Sequence, residues 1–114
     1  ITSALSLMVK ASTPMPKKPE TKFEERVVKL LDKIPLTWHF KAQLVARRGI
    51  PDRIICCNGN FVAWELKVES PLSALQKHNL ELIDKAKGVA RVVTPDNLQE
   101  RLLELYSLIG VHDV

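Results

Sequence analysis

Two short apolar runs, Ile54-Ile55-Cys56-Cys57 and Phe61-Val62-Ala63-Trp64, flank the dipeptide Asn58-Gly59. That pattern predicts a β-hairpin, because Asn-Gly supplies the positive φ that both central positions of a type I′ turn require. With a two-residue loop Cys57 faces Asn60. Counting outward then sets Asp52 directly opposite Glu65 on one face of the ribbon. Lys67 shares that face, and Trp64 points to the other, where an indole is expected in the core.

The remaining pattern predicts five further elements. Phe23, Val27, Leu30 and Leu31 recur at helical spacing, so a helix is expected over 22–33. Thr21 is its N-cap and Glu24 completes a capping box, while Pro35 stops it. Residues 37–44 read as a strand that enters a basic loop over 45–50. Pro71 lies near the start of a second helix over about 72–87, ended by Gly88. Val89–Val93 is a short apolar strand. Pro95-Asp96 opens a last helix that runs to about Leu108, with Leu98, Leu102, Leu105 and Ile109 along one side. The order α-β-β-β-α-β-α implies an α/β domain with a central mixed sheet. Residues 1–19, with Pro14, Pro16 and Pro19 and the pair Lys17-Lys18, read as a flexible leader. The chain opens on Ile1 and Met8 is a candidate natural start.

Length and composition narrow the picture. A chain of 114 residues, 46% hydrophobic, supports one folded domain with a single core. The net charge of +4 is a modest bias toward polyanions. Its distribution says more: Lys41, Arg47, Arg48 and Arg53 gather between 37 and 53 against one acid, Asp52. These four are the candidate DNA-binding residues. Cys56 and Cys57 are neighbours in a strand and point to opposite faces, so they are expected to stay reduced, which suits a cytoplasmic bacterial or phage protein. No apolar run approaches the roughly 18 residues of a membrane span, and no membrane partner is expected. His39 and His78 lack a second ligand at useful spacing and read as structural or solvent-facing.

The opposed carboxylates carry the chemistry. Like charges directly across a sheet are destabilising, more so when partly buried. A salt bridge between Glu65 and Lys67 would account for that pair but not for Asp52 facing it. A divalent cation between the acids would account for all three, and Asp52, Glu65 and the backbone carbonyl of Leu66 offer the oxygen ligands that Mg²⁺ or Mn²⁺ prefers.

Arg48-Gly49-Ile50-Pro51-Asp52, then Glu65-Leu66-Lys67, then Leu72-Ser73-Ala74-Leu75-Gln76 together resemble the PD-(D/E)XK metal-dependent nucleases. The match is to the VRR-NUC branch and, more distantly, to archaeal-type Holliday junction resolvases. The resemblance covers roughly residues 20–100 and assigns 20–114 to one nuclease domain. It implies a restriction-endonuclease-like core and a Mg²⁺- or Mn²⁺-dependent endonuclease acting on DNA. Asp52, Glu65 and Lys67 would be catalytic, Gln76 would line the site, and a glutamate of the first helix would reach the metal through water. Glu24 fits that last role better than Glu25. A minimal domain leaves little room for base-reading elements, so branched DNA such as a Holliday junction is the expected substrate. Two strands to cut imply a homodimer. A nicking or flap-processing nuclease of phage or bacterial replication or repair is the alternative enzyme. A DNA-binding module of the same fold without catalysis is the alternative outside enzymes.

Overall fold

The computed structural model describes residues 16–43 and 47–111. Most of the expected leader, the end of the expected first strand at Leu44, and Val45 and Ala46 of the basic loop lie outside the described residues. Among the described residues seven elements follow in the expected order: α1 (Pro19–Leu31), β1 (Thr37–Lys41), β2 (Arg53–Cys57), β3 (Asn60–Leu66), α2 (Ala74–Lys85), β4 (Val89–Val93) and α3 (Leu98–Leu108). The sheet order is β1-β2-β3-β4. The first three strands are antiparallel, whereas β4 runs parallel to β3. The fold is therefore α/β around a four-stranded mixed sheet, with the hairpin in the middle.

The hairpin closes in the expected register, Cys57 against Asn60 and Arg53 against Trp64. Asn58 and Gly59 both take positive φ, 49° and 82°, as a type I′ turn demands. The Asn58 side chain also donates from Nδ2 to the carbonyl of Leu108 at 3.0 Å, which pins the turn to the end of α3.

Period-two alternation sorts the sheet into two faces. Ile55, Cys57, Val62, Trp64 and Val93 point to one side, where Phe23, Val27 and Leu31 of α1 and Leu98 and Leu105 of α3 complete the core. The apolar side of α3 is thus part of the monomer core; Leu102 and Ile109 pack against that core as well. The opposite face carries Glu65 and is covered by α2 only over β3 and β4. Trp38 and Phe40 on its uncovered half remain exposed, as does Phe61 beside the end of α2.

Two helix starts differ from expectation. Helix α1 begins at Pro19 after an N-cap at Lys18, not at Thr21. Proline at the first helical position needs no hydrogen-bond donor and already holds a helical φ. Thr21 therefore lies inside the helix, and Glu24 is not part of a capping box. The capping box sits instead at α2, where Ser73 is the N-cap and Gln76 its partner. Helix α2 ends at Lys85 with Ala86 as its C-cap, ahead of the expected Gly88, which is a glycine for space rather than for its φ. The left-handed residue is Lys87, φ 74°, and a Cβ on Gly88 would lie 2.8 Å from Ile83 and 3.1 Å from Phe61. Pro95 and Asp96 sit in a turn before α3, closed by Asn97 Oδ1 accepting from the Thr94 amide at 2.8 Å. Among the described residues no helix is long and apolar enough to cross a membrane.

Candidate active site

At the open end of the hairpin, where α1, the last residues of β3 and the first turn of α2 meet, lies a polar pocket of about 260 Å³. Asp52, Glu65, Lys67, Gln76 and Glu24 all line it, together with Leu66. Residues more than fifty positions apart in sequence are thus drawn to one cavity by the hairpin register and by the two helices that flank it.

Each side chain is held for a local reason. Asp52 lies one residue before β2, and its backbone carbonyl accepts from Ala42 at 3.0 Å, which extends the β1–β2 ladder. Its Oδ2 accepts from the Leu66 amide at 2.8 Å, so the carboxylate is turned across the hairpin toward the end of β3. Glu65 is buried, 2% exposed. Its Oε1 accepts from Gln76 Nε2 at 3.2 Å, whereas its Oε2 has no partner among the described residues. Gln76 can serve both ends because it is an amide. Its Oε1 accepts from the Ser73 amide at 2.9 Å to complete the capping box, which leaves the NH₂ free for Glu65. A glutamate there would cap as well but would set a third carboxylate against Glu65. Lys67 is half-buried, and its backbone amide donates to Val93 at 2.9 Å, which holds the residue at the pocket edge.

Glu65 is the electrostatic centre of the pocket. Burial first, then the adjacent Asp52 carboxylate, push its pKa from the ordinary 4.5 up to about 8, and the charge of Lys67 opposes that rise. Two carboxylate oxygens cannot hydrogen-bond each other without a shared proton. The pocket therefore presents a position that either a proton or a cation must fill.

The helix-one glutamates separate clearly. Glu24 lines the pocket, and its Oε1 lies 3.1 Å from Lys41 Nζ and 3.5 Å from Arg53 Nη2. Glu25 is turned outward and pairs with Lys17 at 2.7 Å. Of the four candidate DNA-binding residues, Lys41, Arg47 and Arg48 are exposed. Arg53 is not: it is 6% exposed, with its guanidinium turned to Glu24 and His39. A buried guanidinium offers no surface to a phosphate, so the DNA-binding assignment fails at Arg53. The strand alternation already implied this, since Arg53 shares a face with Ile55 and Cys57.

Asn79 was not singled out from sequence. It is buried on α2, one turn beyond Gln76, and donates from Nδ2 to the carbonyls of Gly49 at 2.9 Å and Arg48 at 3.4 Å. Gly49 has φ 75°, and a Cβ there would stand 2.6 Å from Leu75 Cγ and 2.8 Å from Asn79 Nδ2. The glycine lets the basic loop lie against α2, three residues before Asp52. A polar residue three positions after Gln76, on the same helix face, was the available signal.

Among the described residues no group of three or more His, Cys, Asp or Glu side chains is gathered as a ready metal cage. The donors that meet are the two carboxylates of Asp52 and Glu65, with Glu24 across the pocket. Hard oxygen donors, a buried acceptor without a donor and a raised glutamate pKa fit a divalent cation. Comparison of the chain with family models, curated proteins and solved structures returns no match.

Proposed function

We propose that this chain is a Mg²⁺- or Mn²⁺-dependent DNA endonuclease of the PD-(D/E)XK type, with a restriction-endonuclease-like core close to the VRR-NUC branch. The observation that carries this reading is Glu65: a buried carboxylate with one unpartnered oxygen, set beside Asp52 in a pocket that Lys67 also lines. A fold gains nothing in stability from that arrangement, and groups with strongly displaced pKa values concentrate at functional sites.

Asp52, Glu65 and the Leu66 carbonyl would hold the cation, with Glu24 reaching it through water. When bound, the cation supplies Lewis-acid relief of the charge that builds on the phosphoryl oxygens. Gln76 keeps the Glu65 carboxylate oriented while its other end is fixed in the α2 cap. The Lys67 ammonium, a compact donor, touches the scissile phosphate and orients the attacking water. Lys41, Arg47 and Arg48 contact the phosphate backbone and fix the register of the duplex without reading sequence.

Branched DNA is the proposed substrate and a symmetric homodimer the proposed active form, since one pocket per chain must serve two strands of a junction. The two free cysteines, Cys56 exposed and Cys57 buried, support action in the reducing cytoplasm of a bacterium or an infected host. The test is cleavage of a panel (four-way junction, flap, linear duplex, single strand) titrated with Mg²⁺ and Mn²⁺. Metal-dependent cutting with preference for the junction is expected. Preference for the flap or for nicked duplex would move the reading to the repair nuclease. DNA binding with no cleavage at any metal concentration would reduce it to a binding module.

A further inference from the structure

Arg53 stands at the start of β2 and, unlike its neighbour Asp52, faces the core. A buried guanidinium is costly unless its donors are met. Nη2 lies 3.5 Å from Glu24 Oε1, and Nη1 lies 3.2 Å from His39 Nδ1. Arginine can only donate, so His39 Nδ1 accepts. That places the imidazole hydrogen on Nε2, which lies 2.7 Å from Asp32 Oδ1. The contacts thus suit an acceptor at Nδ1 and a donor at Nε2, in a histidine whose side chain is 9% exposed.

Four groups thus form a line, Asp32–His39–Arg53–Glu24. Both its ends belong to one helix: Asp32 caps α1, and Glu24 stands eight residues earlier, about 12 Å along the axis. The middle two members come from adjacent strands. Glu24 has three rotatable side-chain bonds and is partly exposed, so it would sample many positions at the pocket rim on its own. Lys41, its other partner, is an exposed cation, whereas Arg53 is buried. The fixed member is Arg53, held from behind by His39.

We propose that Arg53 is a positioning residue that sets Glu24 in place toward the cation held by Asp52 and Glu65, with His39 and Asp32 orienting Arg53. This rests on the metal-site reading given above. Two consecutive residues, at and just before the start of β2, then serve the site by two routes. Asp52 acts directly on one face, and Arg53 acts through Glu24 on the other.

The test is Mn²⁺ affinity of the whole chain, read by electron paramagnetic resonance of the free ion, for wild type, Arg53→Gln, Glu24→Gln and the double variant. Groups that orient metal ligands typically change affinity by about 10-fold or more. Each single variant is expected to weaken Mn²⁺ binding about 10-fold, and the double variant no further, because both remove one linked element. DNA affinity without metal, and its salt dependence, should stay unchanged in Arg53→Gln. Independent losses that multiply in the double variant would overturn the proposal. So would a flattened salt slope, which marks a phosphate contact, or unchanged Mn²⁺ affinity with a lowered Tm, which marks a plain structural staple. If Arg53→Gln does not fold, His39→Gln keeps the arginine but loosens it. A measurable weakening of Mn²⁺ binding supports the proposal there, and wild-type affinity overturns it. Wild type that binds no Mn²⁺ would instead bring down the metal-site reading, and this proposal with it.

Discussion

Replacing Glu65 by glutamine should make the metal-free protein more stable and inactive. In the folded chain Glu65 holds its proton up to about pH 8, whereas in the unfolded chain it releases it near the ordinary 4.5. Below pH 4.5 both states are protonated and the carboxyl costs nothing. Between 4.5 and about 8 the unfolded state ionises first, so stability falls with rising pH across that window. The full displacement corresponds to ~5 kcal/mol at ~1.4 kcal/mol per pH unit. The carboxyl borders an open polar pocket, where water screens part of that, so ~2–3 kcal/mol is the working magnitude. Glutamine removes the term while keeping the geometry. Its oxygen still accepts from Gln76, and its NH₂ gives Asp52 the donor that a carboxylate lacks.

At ~4–8 °C per kcal/mol for a domain of this size, Glu65→Gln should melt roughly 10 °C above wild type at pH 9, and within a few degrees of it at pH 5. Thermal melts by circular dichroism across that range, with chelator present, supply the assay. Millimolar Mg²⁺ should then raise the wild-type Tm at pH 9 and leave the variant unmoved, since a ligand stabilises only the state that binds it. A variant no more stable than wild type at pH 9, or a difference that does not change with pH, would refute the reasoning.

Asp52→Ala and Lys67→Ala should each abolish cleavage while DNA binding in gel shift stays near wild type, because these groups act on the reacting phosphate and the backbone contacts lie elsewhere. Arg47→Ala and Arg48→Ala should weaken binding to every sequence alike and lower the slope of log affinity against log salt by about one unit per lost phosphate contact. Gly49→Ala forces a Cβ to within 2.6 Å of Leu75 and demands a positive φ of alanine. A loss of ~2–3 kcal/mol in urea unfolding is expected, together with weaker DNA binding as the basic loop lifts from α2. Sedimentation equilibrium at micromolar concentration should give twice the chain mass, through a symmetric interface that buries at least about 1,000 Å² in total.

The hairpin was legible because its signals are local: the turn dipeptide and the two apolar runs fix the register, and the register alone sets Asp52 against Glu65. Strand β4 was legible for the same reason. Helix starts were less so: the Thr21–Glu24 capping-box pattern is not used, whereas the Ser73–Gln76 pattern, not singled out from sequence, is. At α1 the preceding proline wins, because it enters the helix without needing a cap. At α2 Ser73 wins, because its partner Gln76 has a second task on Glu65. Arg53 was misplaced by counting charge along the sequence rather than around the sheet. Its neighbours Lys41, Arg47 and Arg48 are exposed, so a basic segment correctly read as a surface still contained one inward member. The link from His39 to Asp32 was out of reach from sequence, because it joins the end of a helix to a strand across a turn through Leu36 with φ 54°.

Two polar residues on one face of α2 show how the pocket keeps its shape against its own charge. Gln76 holds Glu65 from the β3 side, and Asn79, a turn later, holds the Gly49 carbonyl, three residues before Asp52. The two arms of the hairpin that carry the opposed carboxylates are thus tied to a single rigid helix. Repulsion between the acids would otherwise spread those arms, since the last ladder pair before them is Arg53–Trp64. With both arms held, that repulsion cannot relax by movement and adds to burial, the larger cause, in raising the pKa of Glu65. If a cation occupies the pocket as proposed, a site so restrained would change little in shape, and most of the electrostatic relief would become binding energy rather than reorganisation.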